Sequence, residues 1–248
     1  MSAKTHQEFA QANVHRPPSD ENHSGGVSLM GAPRWGLVAV GFILSIAVAA
    51  IIAWGLQASG DWMSGLAWER ALLTSISPEL PAAVDLAFLT LPWLSSNTLV
   101  MPIVLLGCLW LWRVRRRPDL ALHLFVVDFG TFVLTPLLKT LYERPRPDLW
   151  AHRGQYAWSA FPSGHAMIGI AVFGTIALLA YRERRLRWPA FVLATLLAIS
   201  LCSRMYLGVH WPTDVLGGAM IGAVWLAFTW AAFEQPSSLV VDETGSRK

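Results

Sequence analysis

Charge is what this sequence has least of. Of 248 residues only 14% are Asp, Glu, Lys or Arg, against about 25% in an average soluble domain, and the mean hydropathy is +0.44. A chain this poor in charge is not an ordinary soluble domain. Cysteine is scarce too. Cys108 and Cys202 both sit in or beside apolar runs, too few for a disulfide framework and without metal-ligand spacing, and both read as packing residues. No repeat or low-complexity segment is present. The net charge of +3 is segregated rather than spread, and no nucleic-acid partner is expected.

What the chain does have is long apolar runs. Residues 36–56 are about long enough to cross a hydrocarbon core of ~30 Å at ~1.5 Å per residue. Further runs cover about 98–112, 120–138, 163–181, 188–206 and 212–233. The fold class expected is therefore all-α, an integral membrane bundle of six transmembrane helices. Trp35, Trp54, Trp110, Trp112, Trp188 and Trp211 stand at run ends, as interfacial aromatic belts do. Residues 57 to about 95 mix Asp61, Glu69, Arg70, Glu79 and Asp85 with Trp62, Leu66, Leu72 and Leu73. These read as short amphipathic helices on the membrane surface. The polar segments 1–33 and 236–248 read as tails around a six-span domain at 34–235, the first of them disordered.

Basic residues orient the bundle. Arg113 to Arg117 and Arg182 to Arg187 belong on the cytoplasmic side by the positive-inside bias, and with six spans both termini join them. Lys139, Arg144, Arg146, Arg153 and Arg204 then fall outside, against the bias, and a bound anion is the natural compensation.

Three polar stretches interrupt the apolar pattern where charge is costly. Lys139 to Pro147 reads K-x6-R-P, Pro162 to His165 reads P-S-G-H, and Ser203 to Asp214 reads S-R-x5-H-x3-D. Arg204 can clamp a phosphate in a planar fork, and His210 can be a nucleophile if a partner fixes its tautomer. Asp214 lies four residues on, within reach of that ring. Ser163 is a good N-cap for the helix opening at Gly164, whose free backbone N–H groups form an anion site. Pro212 suits a first helical turn.

In order and spacing these stretches resemble the three-part signature of the type 2 phosphatidic acid phosphatase superfamily, with catalytic residues spread over 139–214. The resemblance covers roughly residues 90–235 and implies roles. His210 attacks phosphorus, Asp214 supports it, and His165 is general acid. Lys139, Arg146, Ser163, Gly164 and Arg204 bind phosphate. It implies a lipid phosphate or pyrophosphate phosphatase in a bacterial cytoplasmic membrane, with its site at the external face. No cofactor or metal is expected, since no paired carboxylates face the histidines at ligand spacing. A lipid phosphotransferase on the same scaffold is the near alternative, a non-catalytic lipid-binding or transport protein a more distant one. Soluble haloperoxidases of the same superfamily are argued against by the six apolar runs. The lipid and the oligomeric state stay open, although the external Arg144 and Arg153 favour the more highly charged pyrophosphate. Glu143, Arg144, His152 and Arg153 are read as loop residues with substrate contacts. Asp128, roughly 16 Å from Lys139 along a straight helix, is read as an internal bundle residue. Gly218-x3-Gly222 is a weak helix-packing motif, equally suited to contacts within the chain or between copies.

Overall fold

The computed structural model describes residues 32–76, 81–150, 152, 156, 159–182 and 187–234. Both tails lie outside these residues except for Ala32 and Pro33, and so does Arg153. The described residues are helical, as expected, with no strand among them. In chain order the helices are α1 (Trp35–Ala58), α2 (Ala67–Ser75), α3 (Ala82–Thr90), α4 (Asn97–Arg113) and α5 (Pro118–Tyr142). Then come α6 (Gly164–Ile168), α7 (Gly174–Arg182), α8 (Arg187–Tyr206) and α9 (Pro212–Phe233). A 3-10 turn, Leu91–Ser95, joins α3 to α4, and a π turn, Gly169–Phe173, makes α6 and α7 one bent rod.

The helix ends follow local chemistry. Pro118 and Pro212 occupy first turns, where a missing N–H is no loss. The Arg117 side chain pairs with Asp119 at 2.7 Å in the first turn of α5. At the other end of α5, Glu143 turns left-handed (φ 44°) and its N–H returns to Lys139 O at 3.1 Å.

Among the described residues four helices are long and apolar enough to cross a membrane: Trp35–Ala58, Pro118–Tyr142, Gly164–Tyr181 and Pro212–Phe233. A fifth span results if Ala82–Trp93 and Asn97–Arg113, bent by 57°, count as one. The sixth expected span corresponds to α8, a helix of 20 residues in which Ala194–Tyr206 counts as a shorter apolar helix. Among the described residues four or five spans stand, and the expected six are not confirmed. α3 also departs from the surface helix expected, since its nine residues are apolar apart from Asp85 and its terminal Thr90 and it continues into the bent pair.

α1 lies along α9, and α9 also packs on α5 and α6. The core between them holds Leu134, Leu138, Phe161, Met167, Ile221 and Trp225. Close approach to α6 is made possible by three glycines of α9. A Cβ on Gly217 would lie 2.7 Å from the Phe161 ring, and one on Gly222 would lie 2.7 Å from Met167 O. One on Gly218 would collide with Ser163 O. The Gly218-x3-Gly222 motif is therefore used inside the chain.

Five of the six run-end tryptophans are exposed, between 48% and 73%, as a belt requires. Trp211 is not. It is 2% exposed and donates from its indole N–H to Pro145 O at 3.0 Å, so it belongs to the site. Cys108 is partly buried, donating to Ala121 O at 3.3 Å, whereas Cys202 is exposed and is no packing residue. Asp128 is buried within the bundle, as expected.

Candidate active site

The three polar stretches meet at one end of the bundle. Lys139 comes from the last turn of α5, Ser163 and His165 from the start of α6, and Arg204 from the last turn of α8. His210 lies in the turn before α9, and Asp214 in the first turn of α9. Backbone bonds fix them to one another: Ser163 N donates to Asp214 O at 3.0 Å, and Val209 N donates to Arg204 O at 3.2 Å. Gly208, at φ +65°, makes the turn to His210. A side chain there would strike the Trp150 indole, so both backbone and space require glycine.

Lys139, Arg204, His210, Ser163 and Asp214 are all at most 7% exposed, while His165 and Arg146 are partly exposed. Lys139 Nζ donates to Ser159 O, and the Ser159 hydroxyl returns a bond to Lys139 O at 3.0 Å. Arg146 donates to Val209 O and to Ser159 O, and its Nη1 lies 3.5 Å from His210 Nε2. The two arginines sandwich a tyrosine, with the Arg146 and Arg204 guanidinium carbons 5.1 Å and 5.5 Å from the Tyr156 ring centre.

Three buried polar atoms here have no partner: Ser163 Oγ, Arg204 Nε and His210 Nδ1. Ser163 was expected to cap α6 with its hydroxyl, and it does not. Its oxygen is left free in the cluster, beside the first N–H groups of the helix. Such groups are costly to bury unpaired, and their convergence with three cations suits an oxyanion.

His210 is the best defined of the catalytic candidates. Burial first, then the charges of Arg146, Lys139, Arg204 and His165, hold its ring well below the usual histidine range, so it is neutral at pH 7. Arg146, lowered to about 10 by burial and then by Arg204, stays cationic. The two ring nitrogens face different surroundings. Nε2 faces the arginine side, and Nδ1 lies 3.7 Å from Asp214 Oδ2.

Two charged residues of the site were misread. Arg144 was read as a loop residue touching substrate, yet its side chain is fully buried. It donates to Asp214 Oδ1 and to Thr213 Oγ1, each at 2.7 Å, and to Glu69 Oε2 at 3.1 Å. Glu69, read as part of a surface helix, is equally buried and accepts from Thr213 N at 2.9 Å. The only signal in the sequence was a lone acid among apolar residues and an arginine two places before Arg146. One sequence cannot pair them.

Beside the cluster opens a pocket of about 500 Å³, bordered by Lys139, Thr140, Glu143, Arg146, His152 and Tyr156. Arg144 also borders it, although its side chain has no exposed surface. The described residues near positions 62–73 and 149–161 pack on each other. Leu73, Ala160 and Trp211 form a buried group with Leu149 and Trp150, and Trp62 meets Phe161 edge to face at 5.8 Å.

Residues 119–237 match the model of the PAP2 superfamily, a stretch that contains every signature position. Phosphatidylglycerophosphatase B of Bacillus subtilis is 33% identical over 153 residues, covering 57% of this chain and 71% of that protein. The chain belongs to the PAP2 superfamily. A second PAP2-type relative is a putative undecaprenyl-diphosphatase of Escherichia coli, 28% identical over 171 residues, 65% of this chain and 81% of that one. In fold, this PAP2 chain is similar to the crystal structure of a transmembrane PAP2 type phosphatidylglycerolphosphate phosphatase from Bacillus subtilis. The TM-score is 0.62 at 22% identity, over 78% of this chain and 94% of the other. As a PAP2 protein with apolar spanning helices, it is a membrane protein.

Proposed function

We propose that this PAP2 protein hydrolyses a lipid phosphate monoester or pyrophosphate through a phosphohistidine on His210. Its class, a lipid phosphate hydrolase, follows from the phosphatase and diphosphatase relatives. The observation that carries the mechanism is the division of the His210 ring, with Nε2 3.5 Å from Arg146 Nη1 and Nδ1 toward Asp214.

A phosphoryl group held by Lys139, Arg146, Arg204, Ser163 Oγ and the Gly164 end of α6 sits in front of Nε2. The neutral ring attacks phosphorus, and the bond to the leaving oxygen breaks. That oxygen takes its proton from the His165 imidazolium, a form that the negative charge of the bound phosphoryl group favours. The phosphorylated imidazole is cationic, and the Asp214 carboxylate beside Nδ1 offsets it. In the second step water attacks phosphorus, its proton passes to His165, the P–N bond breaks and phosphate leaves. The cations act on charge that grows on the non-bridging oxygens in each transition state.

The head group enters by the pocket at Lys139, Thr140, His152 and Tyr156. Arg144, spent on Asp214 and Glu69, gives no support to a pyrophosphate preference, and the two named relatives act on different lipids. The site lies at the external face. Supporting this, Arg113 to Arg117, Arg182 at the end of α7 and Arg187 at the start of α8 lie at the helix ends opposite the signature residues. Arg34 N, at the start of α1, bonds Ala232 O near the end of α9 at 3.1 Å. The first and last helices thus meet at the end away from the site, in keeping with cytoplasmic termini.

The test is phosphate release by purified protein from undecaprenyl pyrophosphate, phosphatidylglycerophosphate and phosphatidate in matched micelles. Release from at least one, abolished in His210→Ala, is expected. No release from any of the three, or an active His210→Ala, would overturn the reading. Transfer of phosphate to a second lipid in place of release would identify a phosphotransferase.

A further inference from the structure

We infer that Arg144 and Glu69 are positioning residues for the reaction, setting the Asp214 carboxylate against His210 from behind. The inference rests on the reading of His210 as nucleophile. Both oxygens of Asp214 are tied by groups other than the ring. Oδ1 accepts from Arg144 Nη1 at 2.7 Å and Oδ2 from Trp211 N at 2.8 Å. The carboxylate cannot rotate without breaking one of these bonds.

Arg144 is itself held in one place. Its Nε donates to Trp62 O at 3.2 Å, Nη1 to Thr213 Oγ1 as well as to Asp214, and Nη2 to Glu69 Oε2. The Trp62 and Trp211 rings lie within 5.3 Å and 5.6 Å of its guanidinium carbon. These bonds use four of the five guanidinium N–H donors, and the side chain has no exposed surface from which to reach a substrate phosphate. Glu69 closes the ring. Its Oε1 accepts from Thr213 N at 2.9 Å and from Thr213 Oγ1 at 2.6 Å, and its Oε2 from Leu66 N at 2.8 Å. Thr213 thus donates to Glu69 and accepts from Arg144, a fully used hydroxyl.

Charge explains why two acids accompany one base. Glu69, Arg144 and Asp214 together carry one excess negative charge in a site without water access. With the positive charge of Lys139, Arg146 and Arg204 engaged by a bound phosphoryl group, a neutral His210 leaves that negative charge unbalanced, and a His210 made cationic by phosphoryl transfer balances it. The cluster is therefore better matched to the phosphorylated ring than to the resting one, which is how fixed charge accelerates a step. Without Arg144, the two carboxylates would face each other across Thr213 and Asp214 would turn from the ring.

A plain staple between α2 and α9 would use the same bonds, so the test separates the two. Full-length wild type, Glu69→Gln, Arg144→Lys and Arg144→Gln are purified in detergent. Each is checked for folding by thermal unfolding with and without inorganic phosphate. Rapid-quench single turnovers then use whichever lipid of the panel above wild type turns over fastest. Folded Arg144→Gln should keep its phosphate-induced rise in Tm and a KM near wild type. Its phosphoenzyme should form slower by on the order of 10²-fold, with Arg144→Lys in between and Glu69→Gln slowed by about tenfold. Wild-type rates in folded Glu69→Gln and Arg144→Lys would overturn the inference, and so would a change confined to KM. If Arg144→Gln does not fold, those two variants decide alone. Absence of any phosphoenzyme in wild type, with an active His210→Ala, is a different result: it removes the nucleophile reading itself.

Discussion

Nδ1 of His210 lies 3.7 Å from Oδ2 of Asp214, one helical turn along the chain. The contact is longer than a hydrogen bond, and Oδ2 is meanwhile engaged by the Trp211 amide at 2.8 Å. A cationic ring draws this pair together; a neutral one gains less. The distance sets up the first expectation.

Removing the carboxylate charge at fixed shape should remove this support. Asp214→Asn is expected to remain folded while kcat falls by about 10²–10⁴-fold, and His210→Ala to lose turnover entirely. Acid quenching of wild type during turnover should trap an acid-labile phosphoenzyme on His210, readable by phosphate labelling at alkaline pH. An Asp214→Asn enzyme of wild-type kcat would refute the role given to this pair.

A second expectation concerns acid stability. The folded His210 ring titrates well below its unfolded value of about 6.5, first because it is buried and then because Arg146, Lys139, Arg204 and His165 oppose a further charge. Below that unfolded value the unfolded chain binds a proton that the folded chain refuses. The contribution of this group is therefore whole above about pH 6.5 and declines as pH falls below it. Thermal unfolding in detergent should show wild type losing Tm between pH 7 and 5 more steeply than His210→Gln. Parallel curves would contradict the assignment.

Gly218 offers a test of packing. A methyl group there meets the Ser163 carbonyl, which is backbone and cannot step aside. Gly218→Ala should destabilise by about 1–3 kcal/mol, measured by thermal unfolding. It should also lower activity by moving Ser163 away from the cations. Gly107→Ala, where a Cβ would meet only Leu124 at 4.0 Å, is the control expected to behave as wild type.

Topology can be read by labelling. Thr213 is a poor position for a reporter cysteine, because its amide and hydroxyl are both bound to Glu69. Thr140 at the pocket rim and Arg115 at the opposite end are both exposed. In a background lacking Cys108 and Cys202, Thr140→Cys should react with an impermeant thiol reagent on intact cells and Arg115→Cys only after permeabilisation. The reverse pattern would place the site in the cytoplasm.

The sequence by itself determined the helical class, the ends of most long helices and the polar signature positions that the fold brings together. Each of these is written locally. Apolar runs need internally bonded backbone in lipid, prolines and glycines mark turns, and a Lys, two Arg and two His beside membrane spans have few uses other than binding an anion. The tertiary structure decided what depends on partners far apart in the chain. Glu69 and Arg144 stand 75 positions apart, and neither burial nor pairing can be read from a lone charge. Trp211 looked interfacial because it ends an apolar run, yet the Arg144 guanidinium and the Pro145 carbonyl draw it inside. Ser163 looked like a cap because its position is a cap, but the approach of Gly218 and the Asp214 carbonyl fixes its backbone and leaves its hydroxyl for the site. Local rules set which groups the chain must satisfy; only packing chooses the partners that satisfy them.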